Sequence, residues 1–141
     1  MRTRKFRRAV VLACLSLAAS GADCSEAERD LSIYVMGHTS PWLVDTAVVD
    51  LGVNITSEVN SDIPGCSAEG FSMTWSNGAT GARAQGLVWA SVTCFPGLGC
   101  SCNKSGDAKI DLVVGENPVS ITVADPHGHQ ASTSIVVVRN L

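Results

Sequence analysis

The chain has 141 residues, 45% of them hydrophobic but only 5% aromatic, with thirteen acidic against ten basic side chains. That length fits one domain of ordinary size, long enough to bury a single core but not two. Five of the ten basic residues fall in the first eight positions and every acidic residue lies beyond position 22, so the remainder carries an excess of eight negative charges, which repels nucleic acid and anionic lipid.

Residues 1–8 are basic and residues 9–22 form an uncharged apolar run ending in Ser20, Gly21 and Ala22. A basic segment, a short apolar segment and small residues at its end are the marks of a secretory leader, so residues 1–22 are expected to be removed, leaving one domain over 23–141. The adjacent Arg7 and Arg8 fit an ordinary basic leader better than a twin-arginine signal. The run is shorter than the roughly 20 residues a helix needs to cross a bilayer, and no later stretch approaches that length. No membrane span is expected. A lipid anchor at Cys24 is disfavoured, because Asp23 rather than a small residue precedes it.

Beyond the leader, short apolar alternations recur between Gly, Pro, Asn and Asp, and none has a sustained helical period. Residues 31–36 form the first. Residues 47–56 place Val49, Leu51, Val53 and Ile55 on one face and Asp50, Gly52, Asn54 and Thr56 on the other. Phe71, Met73 and Trp75 share a face in the third, residues 87–93 form the fourth, and Ile110, Leu112 and Val114 mark the fifth. Val119, Ile121 and Val123 alternate in the sixth; residues 131–139 close the chain with Ile135 and Val137 facing inward. Asp125-Pro-His-Gly-His129 reads as a hairpin turn joining the last two. Residues 93–109 lack alternation and hold three cysteines, so they read as an inserted loop tied down by disulfides. About seven strands with turns between them predict an all-β sandwich or barrel.

Particular motifs narrow that expectation. Leu112-Val-Val-Gly115-Glu-Asn117, Ile121-Thr-Val-Ala-Asp125, Gly128-His129 and the closing Ile135-Val-Val-Val138 resemble the last three strands of bacterial immunoglobulin-like repeats, and Met73-Thr-Trp-Ser-Asn77 with Gly78-Ala-Thr-Gly-Ala82 is similar to their Val-Thr-Trp-Ser-Asn segment. The resemblance spans roughly residues 40–139 and implies an immunoglobulin-like β-sandwich. It implies little about ligand. The chain departs from the pattern at His129, where Asn is usual, and at Gly106, ahead of a strand that usually follows a second Trp. Trp89 is expected to fill that space from the neighbouring strand.

His127 and His129 beside Asp125 have the residue types of a metal site, and with the cysteine segment they form the alternative reading: a small secreted metal-binding or redox protein. A polar hairpin tip is the plainer reading, so no metal or cofactor is assigned. Six cysteines in an exported chain point to disulfides, with Cys66, Cys94, Cys100 and Cys102 as candidates once Cys14 leaves with the leader and Cys24 stays near the N-terminus. Cys100 and Cys102 are too close in sequence to bridge each other without strain. Cys66 then takes one member of that pair and Cys94 the other. The implied sandwich brings Cys66 within reach of the insert. Asn54-Ile-Thr56 and Asn103-Lys-Ser105 are formal glycosylation acceptors without meaning in a bacterial host. Trp42, Trp75 and Trp89 have the chemistry of a sugar-stacking platform; Trp75 is expected in the core, and Trp42, beside Pro41, is left as the open candidate. No Gly-x-Ser-x-Gly and no nucleophile-base arrangement is visible, so an enzyme is not expected. The expected function is non-catalytic: an extracytoplasmic module for adhesion, binding or envelope-complex structure, with an unidentified protein or glycan as partner.

Overall fold

The computed structural model describes residues 31–141; the expected leader and Cys24 lie outside the described residues. The alternating segments form strands because each has one apolar side to bury. They are β1 (Leu31–Val35), β2 (Trp42–Val44), β3 (Val48–Ser57), β4 (Ser72–Asn77), β5 (Arg83–Gln85), β6 (Leu87–Phe95), β7 (Gly99–Asp111), β8 (Gly115–Ala124) and β9 (Gln130–Arg139). Two sheets result, in the orders β1-β3-β7-β6 and β2-β9-β8-β4-β5. The fold is an all-β sandwich. Two strands absent from the expected seven, β2 and β5, are three residues each, too short for alternation to declare them.

The two inner faces supply one core. Val49, Leu51, Val53 and Ile55 from β3 meet Met73 and Trp75 from β4, Val119, Ile121 and Val123 from β8, and Ile135 and Val137 from β9. The chain passes from the second sheet to the first at Gly86, between β5 and β6. A Cβ there would sit 2.1 Å from Met73 Cε and 2.7 Å from the Asp107 carbonyl oxygen, so the crossing requires glycine.

The inserted loop expected over residues 93–109 is instead a hairpin. β6 and β7 pair antiparallel over nine positions, from Leu87↔Asp107 to Phe95↔Gly99, around a turn at Pro96, Gly97 and Leu98. The pairing of β7 with its other neighbour β3 ends at Ile55↔Lys104. The outer part of the hairpin therefore projects past the sandwich as a two-stranded arm. Its residues face water on both sides, which removes the apolar alternation by which a strand is recognised.

A buried polar node closes the opposite end. The Asn117 side-chain amide donates to the carbonyls of Val113, Gly115 and Val137, and its Oδ1 accepts from Val113 N–H at 3.0 Å. Asn77 Nδ2 donates to Asn117 Oδ1 at 3.0 Å and to the Asp111 carbonyl at 3.0 Å. Both asparagines are fully buried and together tie β4, β8 and β9 to the end of β7. Truncating Asn117 would strand several of these groups, each costing about 1–3 kcal/mol when buried and unmet. Asn117→Ala should lower unfolding free energy by about 3 kcal/mol or more, whereas the surface substitution Asn54→Ala should change it by about 0.5 kcal/mol or less. Urea unfolding of the two variants measures the contrast, and equal midpoints would remove the node's structural role.

Candidate binding surface

The arm is held by two disulfides, Cys66–Cys102 and Cys94–Cys100, one of the two pairings left open by the sequence. Cys94 and Cys100 lie directly opposite each other in the hairpin register. Cys102 sits two positions nearer the sandwich and bridges to Cys66 in the connection between β3 and β4. The first bridge fastens the arm's two strands together; the second fixes its base to the body. Such bridges belong to proteins that fold under oxidising conditions. Among the described residues, no helix is long and apolar enough to cross a membrane.

No charged side chain occurs between Arg83 and Lys104, although the chain as a whole is acidic. Within that stretch Val92, Phe95 and Leu98 are exposed at the arm's outer end, Phe95 by 58% and Leu98 by 86%. Leu87 and Trp89 are exposed farther down β6, which is an edge strand. Sheet edges usually carry charge, Pro or a bulge that discourages other chains from pairing with them. This edge carries no charge.

Of the three tryptophans, Trp89 departs from its expected placement. Trp75 is buried, as its face with Met73 requires. Trp42 lies in β2, partly buried against the core, with the His38 ring stacked on it at a centroid distance of 3.6 Å. Trp89 does not fill the space beside Gly106. Val88 and Ala90 hold the inward positions of β6 opposite Gly106 and Lys104, so Trp89 points to the outer face and is 45% exposed. Met73 takes the space instead: a Cβ on Gly106 would lie 2.6 Å from its sulfur. A depression of about 220 Å³ is lined by residues 54–57 and 102–104, near the base of the arm.

The histidine hairpin has a structural occupation. Asp125 is buried and its Oδ1 accepts the backbone N–H groups of His127 and His129, each at 2.9 Å, while Oδ2 meets His129 Nδ1 at 2.7 Å. Burial pushes the Asp125 carboxyl up, but the hydrogen bonds from the His129 side chain and from the two backbone amides outweigh it and hold the pKa below the ordinary value. Both carboxylate oxygens thus shape the turn. The His127 and His129 ring centroids are 6.4 Å apart. Among the described residues no three His, Cys, Asp or Glu side chains converge in a metal-binding group, and the four described cysteines are all bridged.

Lys104 was not singled out from the sequence. It is 2% exposed and points inward from β7, where Ala108 and Ile110 continue the same face. Its Nζ donates to Ser61 Oγ at 2.7 Å, and it lies 5.4 Å from the Phe71 ring centroid. Ser61 Oγ in turn donates a hydrogen bond to the Ser57 carbonyl at 2.5 Å, so the lysine acts as donor to the serine and not as its base. The pair ties the β3–β4 connection to β7 beside the Cys66–Cys102 bridge.

No family model matches the chain, and no curated protein matches it at a significant level.

Burial lowers the pKa of Lys104 from the ordinary 10.5. Between the folded and unfolded values the unfolded chain binds more protons, so stability contributed at this position rises with pH through that window and is reduced below it. Lys104→Met, which keeps the apolar stem and removes the charge, should match or exceed wild-type stability at neutral pH and lose the alkaline rise. Thermal melts from pH 7 to 10 test this; an unaltered pH dependence in the variant would show that Lys104 is not its source.

Proposed function

We propose that this chain is an exported, non-catalytic binding module of immunoglobulin-like type, acting outside the cytoplasm in adhesion or as part of an envelope complex. The observation that carries the reading is the arm: a strand pair projecting beyond the sandwich, cross-linked twice, uncharged, and tipped with exposed Phe95 and Leu98. Exposing large apolar side chains at the end of a pinned projection gives a fold nothing in stability, whereas it gives a partner a pre-ordered contact that costs little entropy to bind. The sandwich body supplies the platform. The leader expected over residues 1–22, the two bridges and the resemblance to bacterial immunoglobulin-like repeats support an extracytoplasmic site of action. The side-chain arrangements described above serve structure: the serine and lysine fasten a loop, and the aspartate shapes a turn.

The reading is tested with a photo-crosslinking amino acid at position 98 in the exporting host, and at the exposed control position Val48. A discrete adduct to one protein from position 98 and none from the control is expected, and Phe95→Ser in the chain that carries the probe at position 98 should abolish it while shifting the melting temperature little. Adducts that are absent, or equal at both positions, would remove the arm as the contact element.

A further inference from the structure

The outer faces of the two sheets differ in chemistry. That of the second sheet carries Ser72, Thr74, Ser120, Thr122, Ser132 and Ser134, a short-hydroxyl surface of the kind that simply faces water. That of the first sheet carries aromatic rings on both of its edge strands. The strand registers place Tyr34 on β1 opposite Asn54 on β3, Asn54 opposite Ser105 on β7, and Ser105 opposite Trp89 on β6. These four residues form one row across the sheet. With three inter-strand steps the two rings stand about 14 Å apart.

We propose that this face binds a neutral oligosaccharide, laid across the strands from Tyr34 to Trp89. Tyr34 is 58% and Trp89 45% exposed, so each has ring surface free for stacking. Pyranose rings present C–H faces that pack on such surfaces, and hydroxyls at their rims that need hydrogen-bond partners. The middle of the row supplies those partners. Asn54 and Ser105 are half-buried, and their side chains make no hydrogen bond with another protein group among the described residues, leaving an amide and a hydroxyl available. In the next row Gly52 pairs with Asp107, and the Met36 side chain lies over the glycine, its Cε 3.0 Å from where a Cβ would be, so an apolar methionine borders the row on that side. Asp107, half-buried, adds a carboxylate able to accept two hydroxyls.

Charge selects the class of sugar. Asp50, Asp107 and Asp111 on this face outnumber Lys109, and the β6 edge is uncharged, so an acidic polysaccharide would be repelled. The same acidic excess opposes a second copy of the chain as occupant. The spacing of the rings calls for an oligosaccharide, because a monosaccharide cannot reach both. The proposal deepens the binding-module reading but does not use the arm's tip, so the two can fail separately.

The test is native affinity electrophoresis of the exported chain in gels containing a β-glucan, a galactomannan, a dextran or alginate. Retardation by at least one neutral polymer and none by alginate is expected. Trp89→Ala and Tyr34→Ala should each weaken that retardation at least tenfold with unchanged melting temperature, while Phe95→Ser with Leu98→Ser leaves it intact. No retardation by any neutral polymer, retardation by alginate of equal strength, or retardation that survives both aromatic substitutions would overturn the proposal. A dimer in sedimentation that Trp89→Ala dissociates would assign the face to a second copy and overturn it as well.

Discussion

The antiparallel pairing of β6 with β7 is the constraint on which the distinctive features depend. Because side chains alternate across a strand, its register decides every facing at once, and a slip of one residue would reverse all of them. In the observed register Cys94 stands opposite Cys100 and bridges to it, which leaves Cys102 for Cys66. The same register sends Lys104 inward and Trp89 outward. Two cross-links, a buried cation and an exposed ring are thus consequences of one alignment, and the Cys94–Cys100 bridge in turn helps to hold it. A two-stranded hairpin projecting into water is marginal without such support.

The two ends of the sandwich solve the problem of buried polar groups differently. At one end Asn77 and Asn117 satisfy each other and the backbone carbonyls where β7 turns into β8, and Arg139 Nη1 donates to the Leu112 carbonyl beside them. At the other, the Asp125 carboxylate shapes the β8–β9 hairpin, and Lys104 reaches Ser61 beneath the β3–β4 connection. Gly70 sits between these features: a Cβ there would meet Pro126 at 2.8 Å, so the connection and the hairpin pack together only because that position lacks a side chain. The arm is anchored at this end, and its base inherits the rigidity of the packed loops.

The core was legible because alternation is strict wherever one side of a strand is buried: Val49 to Ile55, Met73 with Trp75, and Val119 to Val123 all face as their spacing dictates. The arm was illegible for the converse reason. From Val92 outward both faces meet water, so no periodic apolar signal remains, although Pro96 and Gly97 between two cysteines were the marks of a turn. Lys104 could have been found by carrying the inward phase of Ile110 and Ala108 back along β7; a lysine on that face is the anomaly worth reading. Trp89 could likewise have been assigned outward from Val88 and Ala90, whereas the half-burial of Trp42 under His38 depends on a loop the sequence does not specify. Asn77 and Asn117, which belong to the motifs that resemble the repeat family, have a structural place in the buried node, and nothing in their arrangement speaks of a ligand.

Residues 92–102 form an ordered strand pair and not a loop held at two points. Amide hydrogen exchange on the oxidised protein, resolved residue by residue, tests this most directly. An arm of paired strands predicts an alternating pattern, with about every second amide on each strand protected out to the turn at Gly97 because alternate residues donate across the hairpin. Uniformly fast exchange from Val92 to Cys102 with both bridges intact would contradict it.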